Sequence, residues 1–206
     1  MKRNIIYLLL IFTATLSCSD KSLADLTQNF EDNKQQILEL KEFYNDLVPE
    51  GFLVRVRFDS RKKIDLFVYE PTEIEGNREL LFQQWNLNIE NYKPELERSE
   101  YDQKYHGKTN SFEEVKERLK WTNDTFENLY KKLKSVNCIG ITNRIPTEIE
   151  YGFRGMGVYS YLIFDDTLPT EKQVEYTDDC TMKFYKDNIV FIYGSGAFGS
   201  LCTPEF

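Results

Sequence analysis

The segment FLVRVRFDSRKKIDLFVY, residues 52–69, decides the fold class because it has the pattern of two strands joined by a polar turn. In its first half the side chains alternate between two sets, with Phe52, Val54, Val56 and Phe58 in one and Leu53, Arg55 and Arg57 in the other. After the polar residues 59–62, residues 64–69 alternate again. A period of two is that of a β-strand with one buried face. The segment therefore predicts a β-hairpin.

Two segments have the spacing of long amphipathic helices. In residues 22–47 the apolar side chains fall three, four or seven positions apart, which is the period of one helix face. Residues 111–136 repeat this spacing and begin with Ser111-Phe112-Glu113-Glu114, a match to the capping box. Asn123-Asp124 marks a point where this second helix can divide.

Strand patterns follow both helices. Alternation or apolar runs bounded by turn residues predict six more strands, near residues 81–89, 138–142, 148–154, 158–164, 181–185 and 189–193. The fold class that follows is α+β, with two long amphipathic helices packed on antiparallel sheet. The order of elements also allows two similar helix-plus-sheet units, 22–90 and 111–206, separated by a polar loop at 91–110. The pattern leaves open whether these units form one domain with one sheet.

Composition and charge exclude several classes of protein. Of the 206 residues, 41% are hydrophobic and 15% are aromatic. The chain can therefore bury a core and is not generally disordered. Its 26 basic and 34 acidic residues give a net charge of −8. Nucleic acid is therefore not an expected partner, because its binding needs clustered Lys and Arg against the phosphates.

The N-terminus has the features of a secretory signal peptide. Residues 1–4 are basic, residues 5–12 form an apolar run, and small or polar residues 13–17 precede Cys18. The apolar run is too short to span a bilayer, which takes about 20 apolar residues. We therefore predict a signal peptide at 1–17. Its removal takes away Lys2 and Arg3, which leaves 24 basic and 34 acidic residues and a net charge of −10.

The residues Thr15-Leu16-Ser17-Cys18 resemble the lipobox of bacterial lipoproteins. The resemblance covers residues 1–18 and departs from the commonest pattern at Thr15, where leucine is expected. It implies that Cys18 is acylated and becomes the mature N-terminus, with 18–21 as a short tether. The protein would then sit in the cell envelope, attached through this lipid to the outer or inner membrane and facing the periplasm or the cell surface. The alternative is a secreted protein cleaved near Ser17 whose Cys18 pairs with another cysteine.

Three further cysteines, Cys138, Cys180 and Cys202, follow in the chain. In an oxidising compartment an odd number leaves one thiol over. Cys180 and Cys202 flank the last predicted hairpin and are the first candidates for a disulfide. The alternative keeps all three reduced and buried. Since no Cys/His cluster is present, we expect no metal and no cofactor.

The candidate site residues lie on two predicted strands. Glu148, Glu150 and Arg154 share one parity, so they are expected on one strand face, either as an acid/base pair with an orienting guanidinium or as an exposed ion pair. Tyr159 and Tyr161 extend this set to a tyrosine-rich binding face, although the aromatic residues fit a core equally well. No pattern of nucleophile and base, and no phosphate loop, accompanies them.

The absence of a catalytic pattern favours a binding or accessory module over an enzyme. We therefore predict a membrane-anchored envelope lipoprotein that acts without catalysis. Two alternatives remain at this point. The first is an acidic inhibitor or immunity-type protein that neutralises a basic protein partner, since the negative charge would steer such a partner. The second is a hydrolase with an unrecognised site.

Overall fold

The computed structural model describes residues 21–92, apart from residue 75, and 110–195, apart from residue 179. In this part of the chain the helices are α1 (Leu23–Leu47), α2 (Phe112–Leu119), α3 (Asn123–Ser135) and α4 (Thr170–Gln173), with a 3-10 turn at Val174–Tyr176. The strands are β1 (Leu53–Ser60), β2 (Lys63–Pro71), β3 (Arg78–Asn88), β4 (Gly140–Thr142), β5 (Thr147–Arg154), β6 (Gly157–Ile163), β7 (Met182–Lys186) and β8 (Ile189–Ser195). The predicted α+β class is confirmed.

All eight strands form one antiparallel sheet in the order β3-β2-β1-β4-β5-β6-β8-β7. The pairing of β1 with β4 joins the strands that follow α1 to those that follow α3. Arg55 lies opposite Thr142 in this pairing, and Arg57 lies opposite Gly140. One merged sheet is therefore present, whereas the similarity of the two halves stays a prediction.

The helices differ from the prediction in number. The long helix α1 lies where periodicity places it and begins at Ser22 with a capping box. The second long helix is instead two helices, because Lys120 adopts a positive φ of 57° and ends α2. Thr122 then caps α3 with its own side chain, which accepts from the backbone N–H of Thr125. The break falls directly before Asn123.

One face of the sheet packs against α1, α2 and α3. Its buried side chains come from alternate strand positions and include Val54, Val56, Ile64, Leu66, Ile141, Ile149, Tyr161 and Phe191. The Asn29 side chain on α1 donates to the Val136 carbonyl and the Tyr161 hydroxyl, both at 3.0 Å. The Tyr44 hydroxyl donates to the Val54 carbonyl at 3.1 Å. These bonds satisfy polar groups inside an apolar layer.

The other face of the sheet is covered at one side only. There, Leu162 and Val190 pack with Leu168, Phe164 and Tyr176 from the connection between β6 and β7. The rest of this face is called the open face below. It is formed by β1, β2, β4 and β5 and by Val158 and Ser160 of β6. The open face therefore lies beside a small second hydrophobic core.

The cysteines take two different states. Cys138 is free and buried, its Sγ lies 3.4 Å from the Val136 carbonyl oxygen, and burial raises the pKa of its thiol. Cys180 is disulfide-bonded, so the alternative with all three thiols reduced is wrong. Cys202 lies outside the described residues, and its pairing with Cys180 stays a prediction. Residues 1–17, Cys18 and most of the 91–110 loop also lie outside the described residues.

Among the described helices, none combines the length and the apolar character that crossing a bilayer requires.

Candidate functional site

A groove of about 790 Å³ lies on the open face. Charged side chains from β1 and β5 lie at its floor, and aromatic side chains from β2, β3 and β5 lie around them. The groove is the place where ionised groups, aromatic rings and free volume meet, and it is therefore the candidate site.

The centre of the groove is an ion cluster around Glu150. This side chain is 2% exposed, and both of its oxygens are held by arginines from β1. The Oε1 atom accepts from Arg55 Nε at 3.0 Å and from its Nη2 at 2.8 Å. The Oε2 atom accepts from Arg57 Nε, whose side chain is 11% exposed. A buried carboxylate is tolerated here because two guanidinium groups replace the water that it loses.

Gly140 makes the cluster possible. Glu150 is on β5 and the arginines are on β1, so the glutamate side chain must cross the intervening strand β4. It crosses at Gly140, where a Cβ atom would lie 2.9 Å from Glu150 Oε2 and 2.9 Å from the Val56 carbonyl oxygen. Only a residue without a side chain leaves this passage open.

Asp65 on β2 extends the cluster toward the edge of the sheet. Its Oδ2 lies 4.0 Å from Arg57 Nη1, and its Oδ1 accepts from the Asn86 backbone N–H at 2.9 Å. Asn86 has a φ of 55° within a bulge of β3, which turns its N–H toward the carboxylate. Burial raises the pKa of Asp65, and this N–H offsets part of the effect.

Glu148 lies two residues before Glu150 on the same face. Its Oε2 is paired with Arg144 Nη2 at 2.9 Å, at the end of the groove opposite Phe153. Burial raises the pKa of Glu148, the Arg144 charge offsets part of this effect, and the neighbouring Glu150 adds to it. A carboxyl group with a raised pKa can hold a proton nearer to neutral pH than a free glutamate can.

The raised pKa of Glu148 makes stability depend on pH. Because the folded-state pKa lies above the ordinary value of 4.5, this group's contribution is fully present below that value and is lost as pH rises through the folded-state pKa. We expect Glu148→Gln to gain stability relative to the native protein as pH rises above 4.5. Urea unfolding of both proteins at several pH values measures this difference, and a difference that stays constant with pH would contradict the expectation.

Thr142 supplies an unsatisfied hydroxyl in the floor of the groove. The residue is 7% exposed, and its Oγ1 is buried without a hydrogen-bond partner among the described residues. It lies between Arg55 and Glu148 in the sheet register. An unpaired buried hydroxyl costs free energy, and Thr142 is one of the residues that line the groove.

Aromatic rings form the sides of the groove. Phe67 and Trp85 meet edge to face with centroids 4.6 Å apart, and Trp85 is 53% exposed. The guanidinium carbon of Arg55 lies 5.6 Å from the Phe67 centroid, and that of Arg57 lies 5.0 Å from the Phe153 centroid. These rings hold the arginines over the glutamate and leave apolar surface for a ligand.

The structure divides the predicted site residues between the two faces of the sheet. Glu148 and Glu150 are on the open face as expected. The prediction that Arg154 shares their face is wrong, because a bulge between Glu150 and Gly152 shifts the parity of β5. Phe153 therefore lines the groove, while Arg154 Nη1 donates to the Tyr159 hydroxyl at 3.0 Å.

The two predicted tyrosines belong to the core. Tyr159 and Tyr161 are fully buried on the side covered by the helices, where the Tyr161 hydroxyl donates to the Leu26 carbonyl at 2.9 Å. Their assignment to a binding face is therefore wrong, and the alternative reading as core applies. Their parity is opposite to that of Ser160, which faces Glu150 across the open face.

Sequence reasoning missed the arginines, Thr142 and Trp85. One signal for them was present: Leu66, Phe67 and Val68 are apolar at successive positions, so both faces of β2 are at least partly covered. Arginines beside such a strand are expected in a polar cluster with little exposure. The opposing carboxylate came from a strand distant in sequence, which no local pattern indicates.

No family model, curated protein or solved structure matches this chain.

Proposed function

We propose that this chain is an envelope lipoprotein, anchored by acyl groups on Cys18, whose body binds an amphipathic ligand in the groove of the open face without transforming it. The observation that carries the proposal is the unsatisfied Thr142 hydroxyl, buried in a groove that also exposes aromatic rings. A groove with these two features has the usual composition of a ligand site, mostly apolar with a few placed polar groups.

The groove favours a ligand with one apolar face and one hydrogen-bonding edge. Trp85 and Phe153 offer exposed ring surface, while Thr142 and the partly exposed Arg55 offer polar contacts below them. Three arginines and two carboxylates line the groove, and the Asp65 carboxylate beside Arg57 balances the third arginine. A strongly charged ligand is therefore less favoured than an uncharged ligand with one apolar face and one polar edge.

Binding is favoured over catalysis because Glu150 is fully engaged. Both of its oxygens accept from arginines and the side chain is 2% exposed, so two positive charges oppose its taking a proton from a substrate. The hydrolase alternative rests on Glu148, whose raised pKa suits an acid or base. Loss of a hydrolytic activity in Glu148→Gln, with folding intact, would favour that alternative.

Site-specific photocrosslinking in the native bacterial host tests the binding function. A photoreactive phenylalanine analogue replaces Trp85 in the groove or, as the matched control, Ile74 in the turn between β2 and β3. Both positions are exposed, at 53% and 67%. We expect an adduct at position 85 and none at position 74. Equal yields at the two positions, or none at either, would contradict a binding site in the groove.

A second variant separates binding from stability. Thr142→Val removes the unpaired hydroxyl and keeps the shape of the side chain, so we expect the unliganded protein to gain about 1 kcal/mol in stability. The adduct yield at position 85 should fall in the same variant. The mass of the adduct then identifies the class of ligand, and a basic protein at this position would favour the inhibitor or immunity-type alternative.

A further inference from the structure

Lys21, the first described residue, lies at the same end of the sheet as the turn that follows β1 and the turn that follows β5. The backbone N–H of Lys21 donates to the Phe153 carbonyl at 3.2 Å, and Lys21 Nζ lies 4.8 Å from the Tyr151 ring centroid. Since β1 and β5 run in the same direction, the turns at 60–63 and 154–157 both lie at this end, which we call the proximal end. The turn that contains Ile74 lies at the opposite end.

The distance from Cys18 to the body is short. Only two residues separate it from Lys21, so an extended chain places Cys18 within about 11 Å of Lys21. An acyl group on Cys18 would therefore bring the proximal end itself to the membrane surface.

The proximal end has an apolar tip. Met156 is 60% exposed at the turn between β5 and β6, and Phe153 beside it is 46% exposed. Both also line the near end of the groove. Exposed apolar side chains also lie at the opposite end, at Ile74 and Ile145, so the tip differs by its closeness to Lys21 and by the aromatic ring of Phe153. Aromatic residues suit the boundary of a bilayer.

Ionised side chains of both signs lie at the proximal end. The basic residues of the proximal end are Lys21, Arg61, Lys62, Lys63 and Arg154. The acidic residues at this end are Asp25 in the first turn of α1, Asp59, Glu90, which pairs with Lys62 at 2.7 Å, Glu127, which pairs with Arg61 at 2.5 Å, and Asp178 shortly before β7. The basic and acidic residues named at this end are equal in number, so their charge does not select one kind of lipid headgroup.

From the short link and the apolar tip together, we propose that the proximal end rests on a bilayer, with Phe153 and Met156 in the headgroup region. This inference rests on the proposed acyl anchor and adds an orientation to it. The near end of the groove then faces the headgroups, while Ile74 faces away from the membrane.

Fluorescence quenching by brominated lipids tests the orientation. Full-length protein is isolated from bacterial membranes, its acylation is checked by intact mass, and it is placed in anionic vesicles with bromine on the upper acyl chain. Met156→Trp carries the reporter, and Ile74→Trp is the matched control. Trp85 and Trp121 contribute equally to both. We expect the added emission at position 156 to be quenched several-fold more strongly than at position 74, because interfacial side chains lie about 5–10 Å deep.

The outcomes distinguish the orientation from the anchor. A correctly acylated protein with equal quenching at the two positions would overturn the orientation alone. A protein without acyl groups would overturn the anchor, and the orientation with it.

Discussion

Glu150→Ala is expected to lower the free energy of unfolding by about 3–5 kcal/mol, because it removes one partner from a buried ion cluster. The change removes the nearest partner of Arg57, a side chain that is 11% exposed, and leaves it only the Asp65 carboxylate at 4.0 Å. Arg55 is more exposed and loses less. Urea unfolding followed by circular dichroism measures the effect.

The control for this variant is an ion pair on the surface. Lys62 and Glu90 are 2.7 Å apart, but both side chains are about half exposed. Water and salt screen such pairs, so Lys62→Ala should change stability little. If Glu150→Ala costs no more than this control, the cluster is not the buried network that the geometry indicates.

Gly140→Ala is expected to lower the free energy of unfolding by about 1–3 kcal/mol through overpacking. The new Cβ would lie 2.9 Å from the Glu150 carboxylate and 2.9 Å from the backbone carbonyl of Val56. The carboxylate can move only by leaving its arginines, and the backbone cannot move without disturbing β1. Gly194→Ala is the matched control, because a Cβ at that position meets nothing within 4 Å.

The two changes should not add. In the double variant Gly140→Ala with Glu150→Ala, the clash with the carboxylate is gone and only the clash with Val56 remains. The double variant should therefore lose less stability than the sum of the single variants, and the same urea titrations measure the coupling. A strictly additive result would show that Gly140 and Glu150 do not interact.

Several elements of the fold could be predicted because each has a hydrophobic pattern that is visible within its own segment. Strand β1 and the helix at 22–47 each bury mainly one face, so their periodicity is visible without knowing their neighbours, whereas β2 is buried at five successive positions. The division of the second helix depends on the left-handed backbone of Lys120, a conformation that the identity of a lysine does not indicate.

The candidate site was harder to predict because it depends on bulges. In the predicted strand near 81–89, alternation places Leu81, Gln83, Trp85, Leu87 and Ile89 on one common face. Two register shifts instead leave Leu81, Leu87 and Ile89 buried and Gln83 and Trp85 exposed. A bulge in β5 likewise exchanges Arg154 for Phe153 on the open face. One extra residue in a strand reverses every side chain after it, and alternation alone does not reveal where this happens.

The rate at which a reagent modifies the buried Cys138 thiol reports how fast the structure around it opens. It lies where α3 leads into β4, against the Val136 carbonyl, and its raised pKa keeps it in the unreactive protonated form while the fold is closed. An alkylating reagent can modify this sulfur only during an opening of that junction. At high reagent concentration the rate of modification equals the rate of opening. The rate at which the helix layer separates from the sheet can thus be measured on a native cysteine, without introducing a labelled residue.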